Sequence, residues 1–204
     1  MAEVFLEFAK TPIEPATAVR STLILTGIQV LRSRNLFERY SEVLSPSERT
    51  QILGLAGLAW VPVEIALQHY TAVDRLGLDE STIELMGEEV ASRSWKHVLA
   101  PTFGRSKRIG PKPWDAFQNA RATIALTWHG SDVQIIKESP TQALYTWAGQ
   151  PCATIPYFVR SWKCVMRSVI NLFALHARVE LLPELSSPTA MTARLSWVER
   201  HSGA

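Results

Sequence analysis

The fold turns on one stretch, Ile155-Pro156-Tyr157-Phe158-Val159-Arg160-Ser161-Trp162-Lys163-Cys164-Val165-Met166-Arg167-Ser168-Val169-Ile170-Asn171-Leu172-Phe173. Ile155, Phe158, Val159, Trp162, Met166, Val169 and Phe173 recur at the spacing of a single helix face, which predicts a long amphipathic helix. Arg160, Lys163 and Arg167 lie three and four residues apart and form a second stripe, away from the apolar one. On both sides the period changes to that of strands. Upstream, Val133–Ile136 and Ala143–Trp147 flank the turn Glu138-Ser139-Pro140-Thr141 and predict a hairpin. Downstream, Arg178–Leu182 and Ala190–Val198, joined by Ser186-Ser187-Pro188, predict two closing strands.

The N-terminal half reads differently. Glu3–Phe8 is rich in strand formers, and Pro12 and Pro15 exclude a helix beside it, so it reads as an edge strand or arm. From Ala16 the apolar residues Val19, Leu23, Ile24, Ile28, Val30 and Leu31 predict a helix that ends near Arg34, and a short one follows over Leu36–Leu44. Ser45-Pro46-Ser47-Glu48 is a capping box with Pro at the first helical position. Pro62 is placed to start a helix that reaches Leu76, with Gly77 closing it in a left-handed conformation. Asp79 caps the next helix, whose Ile83, Met86, Val90 and Val98 point inward. A loop over Gly104–Pro113 precedes one more helix, containing Trp114, Phe117, Arg121, Ile124 and Trp128. The fold class is therefore α+β, a helical N-terminal half packed on a small antiparallel sheet formed mainly by the C-terminal half. A single domain spans 1–204: an arm over 1–15, a mainly helical part over 16–130, then hairpin, long helix and closing hairpin over 131–198.

Composition narrows the function classes. With 47% hydrophobic and 20% charged residues, the 204-residue chain is that of a folded domain rather than a disordered one. No apolar run reaches the ~18 residues of a membrane span, and Glu3, Glu7 and Lys10 interrupt any signal-peptide pattern. The 2 Cys have neither a neighbouring Cys nor clustered His, so no metal site or disulfide framework is expected and the cytoplasm is the default location. The net charge of +2 conceals an asymmetry: residues 1–89 hold 13 acidic and 7 basic side chains, residues 90–204 hold 6 and 14. Bulk charge thus argues against a nucleic-acid binder while leaving room for local basic surfaces.

Two resemblances bear on function. Trp60-Val61-Pro62-Val63-Glu64, His69-Tyr70, Asp74–Leu78, the Pro156-Tyr157-Phe158 helix start and the ending Leu195-Ser196-Trp197 resemble an uncharacterised bacterial domain family expanded as paralogues in myxobacteria. That resemblance covers about Ala16 to Val198 and implies a fold rather than a reaction. In layout the chain is also similar to haem–nitric-oxide-binding domains and to four-vinyl-reductase-type ligand domains, α+β sensors whose helices and sheet enclose a pocket. Haem-containing members of that group use a helical His as iron ligand and a Tyr-x-Ser-x-Arg motif for the propionates. By this resemblance His97 is a candidate iron ligand, and Tyr145-Thr146-Trp147-Ala148-Gly149 corresponds to the motif. Tyr145 fits it, but Trp147 and Gly149 stand in place of Ser and Arg, which disfavours haem.

Candidate sites fall into two groups. Trp60, His69, Tyr145, Trp147 and Trp162 are candidates for an inward cluster, either a packed core or the wall of a small-molecule pocket. Arg105, Lys107, Arg108 and Lys112 of the loop, with Arg160, Lys163 and Arg167 of the long helix, are candidates for binding an anion or a protein partner. The loop fails as a phosphate cradle, because its Gly spacing is wrong and Pro111 stands where the motif needs Lys. No acidic residue occurs between Pro151 and Val179, so the helical stripe either is solvated or meets the acidic half, in the same chain or in a second copy. His69 lies on a largely apolar stripe, which favours a structural imidazole over a catalytic one. No nucleophile, dinucleotide or His-Glu-x-x-His pattern is present. The expected function is a non-enzymatic regulatory or protein-interaction domain of ligand-sensor type, able to self-associate. The alternative is a small-molecule sensor, with haem as one ligand, built on an aromatic pocket. A small apolar ligand fits either, and nucleic acid ranks last.

Overall fold

The computed structural model describes residues 2–94 and 112–200. In chain order the elements are β1 (Glu3–Leu6), β2 (Ala18–Arg20), α1 (Ser21–Ser33), α2 (Phe37–Val43), α3 (Pro46–Leu53), β3 (Trp60–Pro62), α4 (Val63–Asp74) and α5 (Glu80–Ser94). There follow α6 (Pro113–Gln118), α7 (Ala120–Ala125), β4 (Trp128–His129), β5 (Asp132–Ser139), β6 (Gln142–Ala148), α8 (Pro156–Asn171), β7 (His176–Leu181) and β8 (Ala190–Val198). Helices dominate the first half, and the main sheet is built almost wholly by the second, so the fold class is α+β as its sequence pattern predicts.

That sheet has five antiparallel strands in the order β1-β5-β6-β8-β7. Alternation sets which face is covered: Tyr145 and Trp147 of β6 and Leu195 and Trp197 of β8 are buried, with half-buried Thr146 and Ser196 between them. Both predicted hairpins form, and the N-terminal segment is an edge strand on β5. Helix α8 lies in the covering layer and begins with Pro156 after Ile155 in an extended conformation. The backbone N–H of Tyr157 donates to Asp74 Oδ1 at 2.8 Å, so a carboxylate from the end of α4 satisfies an orphan donor at the positive end of α8.

Local signals in the helical half place its ends correctly. Ser45 and Glu48 form the reciprocal capping box of α3. Pro62 is the residue before α4, Gly77 has φ +60°, and the Asp79 carboxylate accepts from the N–H of Thr82. Two expectations fail. The first helix starts at Ser21 rather than Ala16, because Ala18–Arg20 is the middle strand of a small three-stranded sheet ordered β3-β2-β4. The single helix expected to run from Trp114 to Trp128 breaks at Asn119 into α6 and α7, and Trp128 belongs to β4. Among the described residues, no helix is long and apolar enough to cross a membrane.

Candidate functional site

Helices α1, α4, α5 (through Val90), α6, α7 and α8 close over β6 around a cavity of about 200 Å³. Its floor is Tyr145 and Trp147 of β6, with Trp128 beside them. Helix α8 supplies Tyr157, Phe158, Ser161, Trp162, Val165, Met166 and Val169, which is the apolar face of its sequence period. Leu23 and Gly27 come from α1, His69 and Tyr70 from α4, Ala116 and Phe117 from α6, and Ala120, Thr123 and Ile124 from α7. The aromatic rings brace each other at edge-to-face and tilted angles: Trp128 on Trp147 at 5.7 Å, Tyr145 on Trp162 at 5.7 Å, and Tyr70 on Phe158 at 4.7 Å between centroids.

Several polar atoms of this wall are engaged within the protein. Thr123 and Thr127 donate their hydroxyls to the carbonyls of Asn119 and Ile124. Trp147 Nε1 donates to Ser131 Oγ at 3.1 Å. His69 is 1% exposed, and its Nδ1 lies 2.8 Å from the hydroxyl of Tyr40, itself fully buried on α2. Burial pulls the His69 pKa down to about 3, so the imidazole is neutral at physiological pH. Burial also pushes Tyr157 up to about 12 and holds Tyr40, Tyr70 and Tyr145 well above the usual phenol range. Among the described residues the lining carries no Lys, Arg, Asp or Glu. The described lining is uncharged and can hold an apolar body.

Four of the five residues expected to point inward, His69, Tyr145, Trp147 and Trp162, meet in this cavity. Trp60 does not. It sits opposite Arg20 in the β2–β3 ladder and stacks on His129 at 3.5 Å, with the Arg20 guanidinium 4.1 Å from its ring. It was expected to face inward, whereas a three-residue strand places it at the edge of the small sheet. Tyr70, Phe117 and Tyr157 also line the cavity and were not singled out by sequence. For Tyr157, four residues before Ser161 on the same helix, helical spacing was the available signal.

Arg105, Lys107 and Arg108 lie outside the described residues, as does His97. Lys112 directly precedes α6, its backbone N–H donating to Asp115 Oδ2. Arg160 is exposed. Lys163 lies 3.8 and 3.6 Å from Glu80 and Glu84, and Arg167 lies 3.7 and 2.8 Å from Glu84 and Glu88. These two residues thus meet the acidic half within the same chain, along α5. Cys152 and Cys164 are buried and free, and burial pushes their thiols up to about 12 and about 11, away from nucleophilic reactivity. Among the described residues, no group of three or more His, Cys, Asp or Glu could hold a metal ion.

No protein-family model matches the chain, and none of the curated proteins matches it. Solved structures do. The Fe(II) unliganded H-NOX protein from K. algicida has a TM-score of 0.65 at 8% identity, over 91% of this chain and 100% of that one. A structure from a study of heme distortion in the H-NOX family gives 0.58 at 9% identity, over 91% and 100%. The I5F mutant of T. Tengcongensis H-NOX gives 0.53 at 9% identity, over 87% and 97%. Identities this low establish a shared fold and nothing more. The layout resemblance is therefore a resemblance of fold, and the uncharacterised bacterial family gains no support from these comparisons.

Whether haem suits this version of the fold is decided by its own residues. Gly149, at the motif's Arg position, has φ +73°, and a Cβ there would stand 2.5 Å from the Glu14 carbonyl oxygen and 3.0 Å from Ser131 Cα. No arginine can occupy that position without moving the backbone. Trp147, at the Ser position, fills the cavity floor. Among the described lining residues no cation is present to pair with two propionate charges. The cavity of about 200 Å³ is also below the ~300–1,000 Å³ of sites that take drug-sized ligands. The described residues do not fit haem.

Proposed function

We propose that this chain is a non-enzymatic regulatory domain of ligand-sensor type whose cavity takes a small, uncharged, apolar molecule in place of haem. The observation that carries this reading is the aromatic cavity of about 200 Å³, without a charged side chain in its described lining, inside the fold of H-NOX domains. An apolar cavity of ~150 Å³ is large enough to hold benzene. A sensor needs a ligand that distinguishes two states of the protein, and occupancy here would brace α1, α4, α7 and α8 against β6. Output would pass to a protein partner or a second copy of the chain, as expected of a cytoplasmic bacterial regulator. Catalysis is disfavoured by the chemistry of the described residues: the imidazole of His69 is neutral, buried and bonded to a tyrosine rather than to a nucleophile.

The test is binding of a monocyclic aromatic probe to the full chain. Toluene should quench or shift the emission of Trp128, Trp147 and Trp162, and should stabilise the protein by ~2.7 kcal/mol at a hundred times Kd. Ala116→Leu, which fills the cavity from α6, should abolish both effects while leaving the protein folded. Added haem should give no Soret band. Absence of any toluene effect up to its solubility, or a stoichiometric Soret band, overturns the reading.

A further inference from the structure

The main sheet ends at β7, and among the described residues β8 is the one strand that pairs with it. Antiparallel residues alternate between those that bond the facing strand and those whose N–H and C=O turn away from it. Leu182 N–H donates to the Thr192 carbonyl at 2.9 Å, which fixes the phase of this ladder. In the same register Glu180, Arg178 and His176 bond Arg194, Ser196 and Val198 of β8. Ala177, Val179 and Leu181 therefore turn their backbone groups outward. The alternation on β8 agrees, since Trp197 N–H donates to Thr141 on the β6 side. Among the described residues, the outward groups of Ala177, Val179 and Leu181 have no hydrogen-bond partner.

A groove of about 400 Å³ runs along this edge, lined by β7 over its whole length and by Lys163 and Arg167 of α8. Ala177 and Val179 are buried, whereas His176, Arg178 and Glu180 are exposed on the other face of the strand. Glu180 stands opposite Arg194 in the ladder, so its charge is answered there. Arg178 and His176 meet no carboxylate among the described residues. Lys163 and Arg167 have their glutamates on the α5 side, those of Lys163 no nearer than 3.6 Å. The groove thus combines unpaired main-chain groups with an excess of positive charge.

We propose that β7 is a docking edge for an extended, acidic segment of a partner protein, which adds to the sheet as a further strand. Main-chain bonds to Ala177, Val179 and Leu181 hold the segment, and its carboxylates meet Arg178 on one face and Lys163 and Arg167 on the other. A second copy is the wrong occupant. Pairing β7 with β7 about a two-fold axis would set the cations of both copies against each other. The same charges repel self-pairing and admit an acidic strand. This edge is separate from the cavity and does not depend on what fills it.

The test uses the full chain and three synthetic peptides: acetyl-Glu-Val-Glu-Val-Glu-amide, the same peptide N-methylated throughout, and acetyl-Lys-Val-Lys-Val-Lys-amide. The first should bind and the other two should not. At about 90% occupancy, hydrogen exchange of the Val179 and Leu181 amides should slow about tenfold, because only the free protein exchanges. Arg178→Gln, an exposed substitution, should weaken binding about two- to fivefold at low salt and by less at high salt. Equal binding of the methylated peptide would mean a charged patch without strand addition and overturns the proposal. So does failure of the acidic peptide to bind at millimolar concentration. A dimer in sedimentation whose formation protects the Val179 and Leu181 amides overturns it in favour of a second copy.

Discussion

Helix α8 has two unlike sides, and their contrast organises the molecule. One side, with Phe158, Trp162, Met166 and Val169, walls the cavity over β6. The other, with Lys163 and Arg167, meets the carboxylates of α5. The first is uncharged and made of large rings, and burial of those rings supplies most of its free energy. The second is a chain of ion pairs at a solvent-accessible seam, where attraction is offset by hydration. Stability should therefore reside on the aromatic side, while the charged side orients α5 and α8. Adjacent residues make the sharpest comparison. Trp162→Ala should destabilise by about 3–5 kcal/mol, because a large ring is lost and the cavity grows. Lys163→Met should cost less than about 1 kcal/mol. Chemical denaturation of the two variants measures both. Comparable losses would break the division between the sides.

A second prediction uses pH. His69 has a native pKa near 3 and an unfolded value near 6.5, so the unfolded chain binds a proton that the native cavity refuses. The contribution of this group is complete above pH 6.5 and is lost as pH falls towards 3. Between pH 7 and pH 5 the expected loss is about 2 kcal/mol. The rings beside His69, those of Tyr40 and Tyr70, are both held high by burial and do not titrate in that window. Subtracting the pH profile of His69→Gln from that of the wild type isolates the effect. A difference that stays flat from pH 7 to pH 5 would show that the imidazole is reached by water in the native state.

The two sides of α8 were also unequally legible in the sequence. Chemistry that acts over a few residues could be read directly: the Ser45–Glu48 box, Pro62 before α4, Gly77 at positive φ, and the β5–β6 turn. The apolar period of α8 located the aromatic face and, with it, Trp162. It could not say that the face borders a cavity, since hollow and packed cores present the same spacing. Trp60 was misplaced because β2, β3 and β4 have only two or three residues each, too few for a period, and their pairing joins residues forty or more positions apart. The charged side was left between two readings, solvated or facing the acidic half, for a related reason. No acid occurs from Pro151 to Val179, yet Glu80, Glu84 and Glu88 repeat every four residues along α5 and lie beside Lys163 and Arg167 in space. An acid-free run in sequence is not an acid-free surface.

The smallest expected effect is the most direct test of that charged seam. Arg167 and Glu88 approach to 2.8 Å, with side chains 25% and 48% exposed, and Glu84 bridges Arg167 and Lys163. Because water still reaches these groups, a double-mutant cycle with Arg167→Met and Glu88→Gln should give a coupling of about 0.2–1 kcal/mol. The coupling should shrink as ionic strength rises, since the Debye length falls from ~10 Å at 0.1 M salt to ~3 Å at 1 M. Trp162→Ala, on the opposite side of the same helix, should lose no less stability at 1 M salt than at 0.1 M, since salt does not screen the burial of a ring. If the cycle instead returned several kcal/mol that salt left unchanged, the pair would be behaving as a buried one. The seam, rather than the aromatic wall, would then hold α8 in place.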